Sequence, residues 1–121
     1  MFFIDKLGNI EMARGDCADW YLPIYYGKRD NKIQYELEDN DVILFAVFDT
    51  GNLYNENIIE KTFSKADTDE YGRVHLSIEE ADTMDLPVHN YYYIVKLFKT
   101  DEQGNMKPYT ITNKKQFNII V

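Results

Sequence analysis

Apolar residues in this chain recur at every second position rather than every 3.6. Val74, Leu76 and Ile78 alternate with His75 and Ser77. Trp20, Leu22 and Ile24 alternate with Tyr21, Pro23 and Tyr25, and Phe117, Ile119 and Val121 repeat the pattern at the end. Each set turns one side of an extended chain inward and the other outward. Val42 to Phe48 breaks the alternation, because every residue in it is apolar. Bounded by Asp41 and by Asp49-Thr50-Gly51-Asn52, it reads as a strand near the middle of a sheet. Asn90 to Lys99 is a second long strand, dense in tyrosine.

Turn signals divide the chain at short intervals: Gly8-Asn9, Arg14-Gly15-Asp16, Gly27 to Lys32, Asp49 to Asn57, Ala66 to Gly72 and Asp101 to Asn105. The last separates two strand-like runs and predicts a hairpin. Strands are expected near 9–13, 18–25, 33–37, 42–48, 58–64, 73–78, 90–99, 107–112 and 115–121. Ser77-Ile78-Glu79-Glu80 has the form of a capping box and predicts one helical turn at about 79–84, closed before Pro87. Many short strands at this spacing predict an all-β sandwich or barrel. With no linker or repeat, 1–121 is read as one domain.

Composition narrows the function. The chain has 121 residues, of which 45% are hydrophobic and 15% aromatic, including 10 Tyr and 7 Phe. That mix fits half-buried sheet surfaces and argues against disorder. The net charge of -8, with no basic stripe, argues against nucleic acid and anionic membranes as partners. Cys17 is the only cysteine, which rules out an intrachain disulfide and favours synthesis in a reducing compartment. The start, Met1 to Lys6, lacks a basic segment and a long apolar stretch. No secretory signal is expected, and a reducing cytoplasm is the expected place of synthesis.

Two segments resemble known proteins. Leu76 to Leu86 followed by Asn90 to Leu97 is similar to the corner between strands E and F of immunoglobulin-like domains. There a tyrosine hydroxyl ties back to backbone upstream. The resemblance implies an immunoglobulin-like antiparallel β-sandwich, makes Tyr91 the corner residue and sends Tyr93 into the core. Alternation sends Val95 and Leu97 inward as well, and Trp20 inward from its own run. A wider set resembles prophage structural proteins, and in particular the N-terminal domain of phage baseplate upper proteins. It comprises Arg14-Gly15-Asp16, Asp41 to Val47, Asp82-Thr83-Met84-Asp85-Leu86, Tyr91-Tyr92-Tyr93 and Phe117-Asn118-Ile119. Ile94 departs from it, standing where an acidic residue is expected. Read as ending after one domain without a receptor-binding extension, the chain is expected to serve assembly rather than direct host recognition. The implied partners are copies of itself or other tail and baseplate proteins.

Candidate chemistry is sparse. Arg14-Gly15-Asp16 could be an adhesion motif, but a turn explains it with less. Asp67-Thr68-Asp69-Glu70-Tyr71-Gly72 begins like a calcium loop. It carries Tyr71 and Ile78 where further ligands belong, so a solvated turn is the simpler reading. Glu38 to Asp41 reads as an exposed acidic turn. His75, His89 and Cys17 lack the close spacing of a zinc site. Asp16 beside Cys17 opposes thiolate formation. Ser64 and Ser77 sit in no nucleophile elbow, and no Gly-rich phosphate loop is present. The expectation is a protein without catalytic residues, cofactor or metal. Tyr21, Tyr25, Tyr26, Tyr54 and Tyr92 fall outside the expected core, as protein contacts or, alternatively, as stacking platforms for cell-surface glycans.

Overall fold

The computed structural model describes residues 2–28, 30–49 and 57–121. The protein is all-β. Its strands are β1 (Phe2–Ile4), β2 (Ile10–Ala13), β3 (Ala18–Leu22), β4 (Tyr25–Tyr26), β5 (Ile33–Gln34), β6 (Val42–Phe48), β7 (Ile59–Phe63), β8 (Val74–Ile78), β9 (His89–Thr100) and β10 (Met106–Ile120). A 3-10 turn at Lys65–Asp67 and one helical turn, α1 (Glu80–Met84), complete it.

Six strands form a mixed sheet in the order β1-β2-β10-β9-β6-β7. Its single parallel pair joins β2 to β10. β3 and β8 form a second, two-stranded sheet, and β4 and β5 a third. Register follows the apolar pattern. Ile43 pairs with Leu97, Phe45 with Val95 and Val47 with Tyr93, so six inward side chains meet across β6 and β9. All six are buried, as are Phe117, Ile119, Ile10 and Met12 further along the sheet. The other wall of the core comes from Val74, Leu76 and Ile78 of β8. Trp20 of β3 meets Phe45 edge-on at 5.6 Å and stacks on Phe2 at 5.0 Å. Phe45 also touches Tyr93 and Phe117, so truncating it to alanine would cost about 3–5 kcal/mol.

The residues expected at a tyrosine corner and in the core behind it are placed as follows. The Tyr91 hydroxyl donates to the Pro87 carbonyl oxygen at 2.9 Å. Tyr93, Val95 and Leu97 alternate inward behind it, while Trp20 is only partly buried. The Tyr93 hydroxyl donates to the Gly8 carbonyl oxygen and pins the β1–β2 turn to the sheet. Burial, with Asp5 nearby, pushes the Tyr93 phenol up to about 12. The Gly15 N–H donates to the buried Thr83 hydroxyl at 2.8 Å. That bond joins two segments far apart in sequence, Arg14-Gly15-Asp16 and the Asp82-Thr83 pair of α1.

Four expectations are corrected. The run 18–25 does not continue as one strand: β3 ends at Leu22, before Pro23, which cannot donate to a ladder. The cap of α1 lies two residues later than Ser77 predicts. Glu79 is the N-cap, and its N–H donates to the Asp82 carboxylate at 2.7 Å. The strands expected at 107–112 and 115–121 are one strand, β10, interrupted by two irregularities. Asp41 is not in an exposed turn but is 3% exposed.

Candidate functional site: a tyrosine-lined trough

The two irregularities in β10 shape the site. Thr110 pairs with Lys96 and Thr112 with Val95, so Ile111 is an extra residue. Between Thr112 and Lys115, opposite Val95 and Tyr93, a second extra residue enters. Each insertion bends the strand. Ile111 and Thr112 thereby line a depression on the inner side of the large sheet. Among the described residues β3 pairs only with β8, so its other edge is open and walls the depression from the far side.

Two clefts of about 530 and 510 Å³ meet at Ile111. A smaller hollow of about 260 Å³ connects them past Leu22, Tyr25 and Tyr26. The first lies between β3 and the β1–β2 turn, with Trp20, Tyr93 and Val95 in its lining. The second is ringed by Tyr25, Tyr26, Tyr35 and Tyr109, with Leu97 and Lys99. Its tyrosines come from β4, from the segment after β5 and from β10. Tyr25, Tyr26 and Tyr109 are each about half exposed. Their rings are available for contact, while Tyr35 beside them packs against the core.

A polar chain supports the tyrosine end. Lys99 donates to the Tyr35 hydroxyl, which donates to the Asp41 carboxylate. Asp41 also accepts the Glu38 N–H at 2.9 Å and lies 3.6 Å from the Lys99 ammonium. Lys99 sits 4.4 Å over the Tyr35 ring. The hydrogen bond to Tyr35 raises the Lys99 ammonium above its ordinary value, with the carboxylates adding to it. Burial, then Asp41, raises the Tyr35 phenol. Both shifts move away from neutrality. Lys99 therefore stays a fixed cation and Tyr35 a protonated donor, which suits binding better than proton transfer.

The tyrosines named from sequence do not converge on one place. Tyr25 and Tyr26 line the trough. Tyr21 borders the first cleft, but its ring stacks on His75 at 4.7 Å, with Arg73 4.8 Å above it. Tyr92 lies on the opposite face of the large sheet, against Phe48 and under Lys114. Tyr54 falls outside the described residues. Sequence reading missed Tyr35, Tyr109, Ile111 and Lys99. Alternation on β10 marks Tyr109 as inward, but the ring comes together only through the fold.

The remaining candidates have local roles. Asp69 accepts the N–H groups of Tyr71 and Arg73 and holds the Arg73 guanidinium at 2.7 Å. Partial burial would raise its carboxyl, but these bonds outweigh it and hold it below the ordinary range. His75 and His89 approach Asp19 and Asp49 at 3.6 and 3.5 Å. The exposed Cys17 thiol donates to Glu80 at 3.8 Å. Among the described residues no group of three metal-binding side chains comes together, and no helix is long and apolar enough to cross a membrane. Comparison with family models, with curated proteins and with solved structures finds no match to this chain.

Proposed function

We propose that the protein is a non-enzymatic structural or assembly module that acts through protein–protein contacts. One observation carries the contact reading: the trough along β3 and β10, where exposed tyrosines surround an apolar floor beside an open strand edge. Tyrosine gives large contact area at little entropic cost, and an open edge offers backbone pairing to an extended segment. The phage tail or baseplate assignment rests on the sequence resemblance. It implies a protein made in the bacterial cytoplasm and carried on the virion. An immunoglobulin-like sandwich is the architecture proposed with it. The parallel β2–β10 pair, the β10-β9-β6-β7 order, the β3–β8 pair and the Tyr91 bond to Pro87 support that reading.

A second reading, a carbohydrate-binding module, is favoured by the ring of Tyr25, Tyr26 and Tyr109 around a concavity holding Lys99. Trp20 reports on both readings, because it is the only tryptophan and lines the trough. Its fluorescence should be titrated with purified products of neighbouring genes and with cell-wall polysaccharide. The proposal expects a saturable change with a protein, weakened at least about tenfold by Tyr25→Ala with Tyr109→Ala. A response to polysaccharide alone would select the second reading. Silence toward both would remove the trough as a docking site.

A further inference from the structure

Along β6 and β9 the large sheet carries large apolar side chains on both faces, with Lys96 among those of the outer one. Antiparallel sheets with one solvated face show polar residues there, whereas strands covered on both sides read as continuous apolar runs. β6 is such a run. Its inward set, with that of β9, is packed under β3 and β8. Val42, Leu44, Phe48, Tyr92, Ile94 and Phe98 point the opposite way, in rows that also hold Ala46 and Lys96; the register joins Val42 to Phe98, Leu44 to Lys96, Ala46 to Ile94 and Phe48 to Tyr92. None of the six belongs to the core or packs against it. Phe48 stacks on Tyr92 at 6.4 Å, and Lys114 lies over the Tyr92 ring.

We propose that a second copy of this chain covers this outer face, forming a symmetric dimer in which β6 of each protomer lies over β9 of the other. The proposal builds on the contact-module reading and names one partner for it, through a surface separate from the trough. The register makes the face self-complementary about a two-fold axis parallel to the strands, midway between β6 and β9. Ala46, small and fully buried, pairs with Ile94 within one sheet, so across the axis each Ile94 meets the partner's small Ala46. Phe48 meets Tyr92, Val42 meets Phe98, and Leu44 meets the apolar stem of Lys96, whose ammonium extends to the rim. Charge follows the same symmetry. Glu60 flanks Ala46 on β7. Lys114 flanks Ile94 on the irregular part of β10 and lies on this face, 4.3 Å over Tyr92. The axis therefore sets each Glu60 against the partner's Lys114. Isologous contacts of this kind are the commonest route to a dimer.

Mass in solution, measured by light scattering across a dilution series, tests the proposal on the intact chain. The expected result is a species of twice the 14.3 kDa chain mass that dissociates on dilution. Ile94→Lys should weaken association more than about tenfold while leaving the circular dichroism spectrum unchanged. Glu60→Lys, at an exposed edge where folding is not at risk, should weaken it several-fold. Adding Lys114→Glu should restore it. A wild-type protein that stays monomeric up to about 1 mM would overturn the proposal. So would a dimer indifferent to both Ile94→Lys and Glu60→Lys. A dimer broken instead by Tyr25→Ala with Tyr109→Ala would place self-association in the trough, and would overturn the outer-face assignment while leaving the contact reading intact.

Discussion

Single hydroxyl groups hold the ends of this sheet. Tyr91 is 3% exposed, and its hydroxyl has one partner, the Pro87 carbonyl that turns the chain from α1 into β9. Tyr91→Phe keeps the ring and removes the bond, so urea unfolding should show a loss of about 1 kcal/mol. Tyr93 gives a pH signature. Its phenol titrates near 12 when folded against 10.0 when free. A raised folded value means the stabilisation is complete below pH 10.0 and disappears as pH rises toward 12. Stability should fall across that window, and Tyr93→Phe should reduce the slope there. An unchanged slope would mean that Tyr93 is not the group whose ionisation is resisted. The inward positions of Tyr91, Tyr93, Val95 and Leu97 were legible from alternation, because a period of two leaves only two choices of face. The burial of Asp41 was not legible. Its partners Tyr35 and Lys99 reach it through the fold, and sequence shows only four acidic or amide residues in a row.

Elements with strong boundaries were legible. β6 begins and ends where Asp41 and Asp49 bracket the apolar run, and the Asp101 to Asn105 hairpin closes as its turn residues predict. β10 was not legible as one strand. Its two extra residues cancel in parity, so Tyr109 and Phe117 face the same way although the register slips between them. Polar residues at the second irregularity, Asn113 to Lys115, imitate a loop. The trough depends on that slip and on the β4–β5 pair. Gly27 permits this pair: its φ is +102, and a Cβ there would lie 2.5 Å from the Asn31 carbonyl oxygen. Gly27→Ala should loosen β4 and β5 by about 1–3 kcal/mol. Hydrogen exchange at the Tyr35 amide, bonded to the Ile24 carbonyl at 2.7 Å, should then accelerate while β9 amides stay protected. Unchanged exchange at Tyr35 would separate this glycine from the trough's integrity.

For the whole molecule, charge and apolar surface oppose one another. A net charge of -8 keeps copies apart in general. The outer face of β6 and β9 does not add to that negative charge, since its rows carry Lys96 and Lys114 with Glu60 at the edge. The trough likewise has Lys6, Lys32, Lys99 and Lys115 in its lining against one carboxylate, Asp5. Association is thereby directed to two surfaces on opposite sides of one sheet. The sequence signal for the outer face was present in the unbroken run of β6. Its meaning appears only when the inward set is seen packed under β3 and β8 and the outward set lies outside that core.

The account stands on that two-faced sheet, and thiol accessibility measures it directly. Single cysteines at positions 91 to 98, in a Cys17→Ser background, should be labelled in the native state under dilute and concentrated conditions. Positions 91, 93, 95 and 97 should resist labelling at every concentration. Positions 92, 94 and 98 should react freely when dilute and slow on concentration. Equal reactivity of the two sets would contradict the fold, and an outward set indifferent to concentration would contradict the dimer.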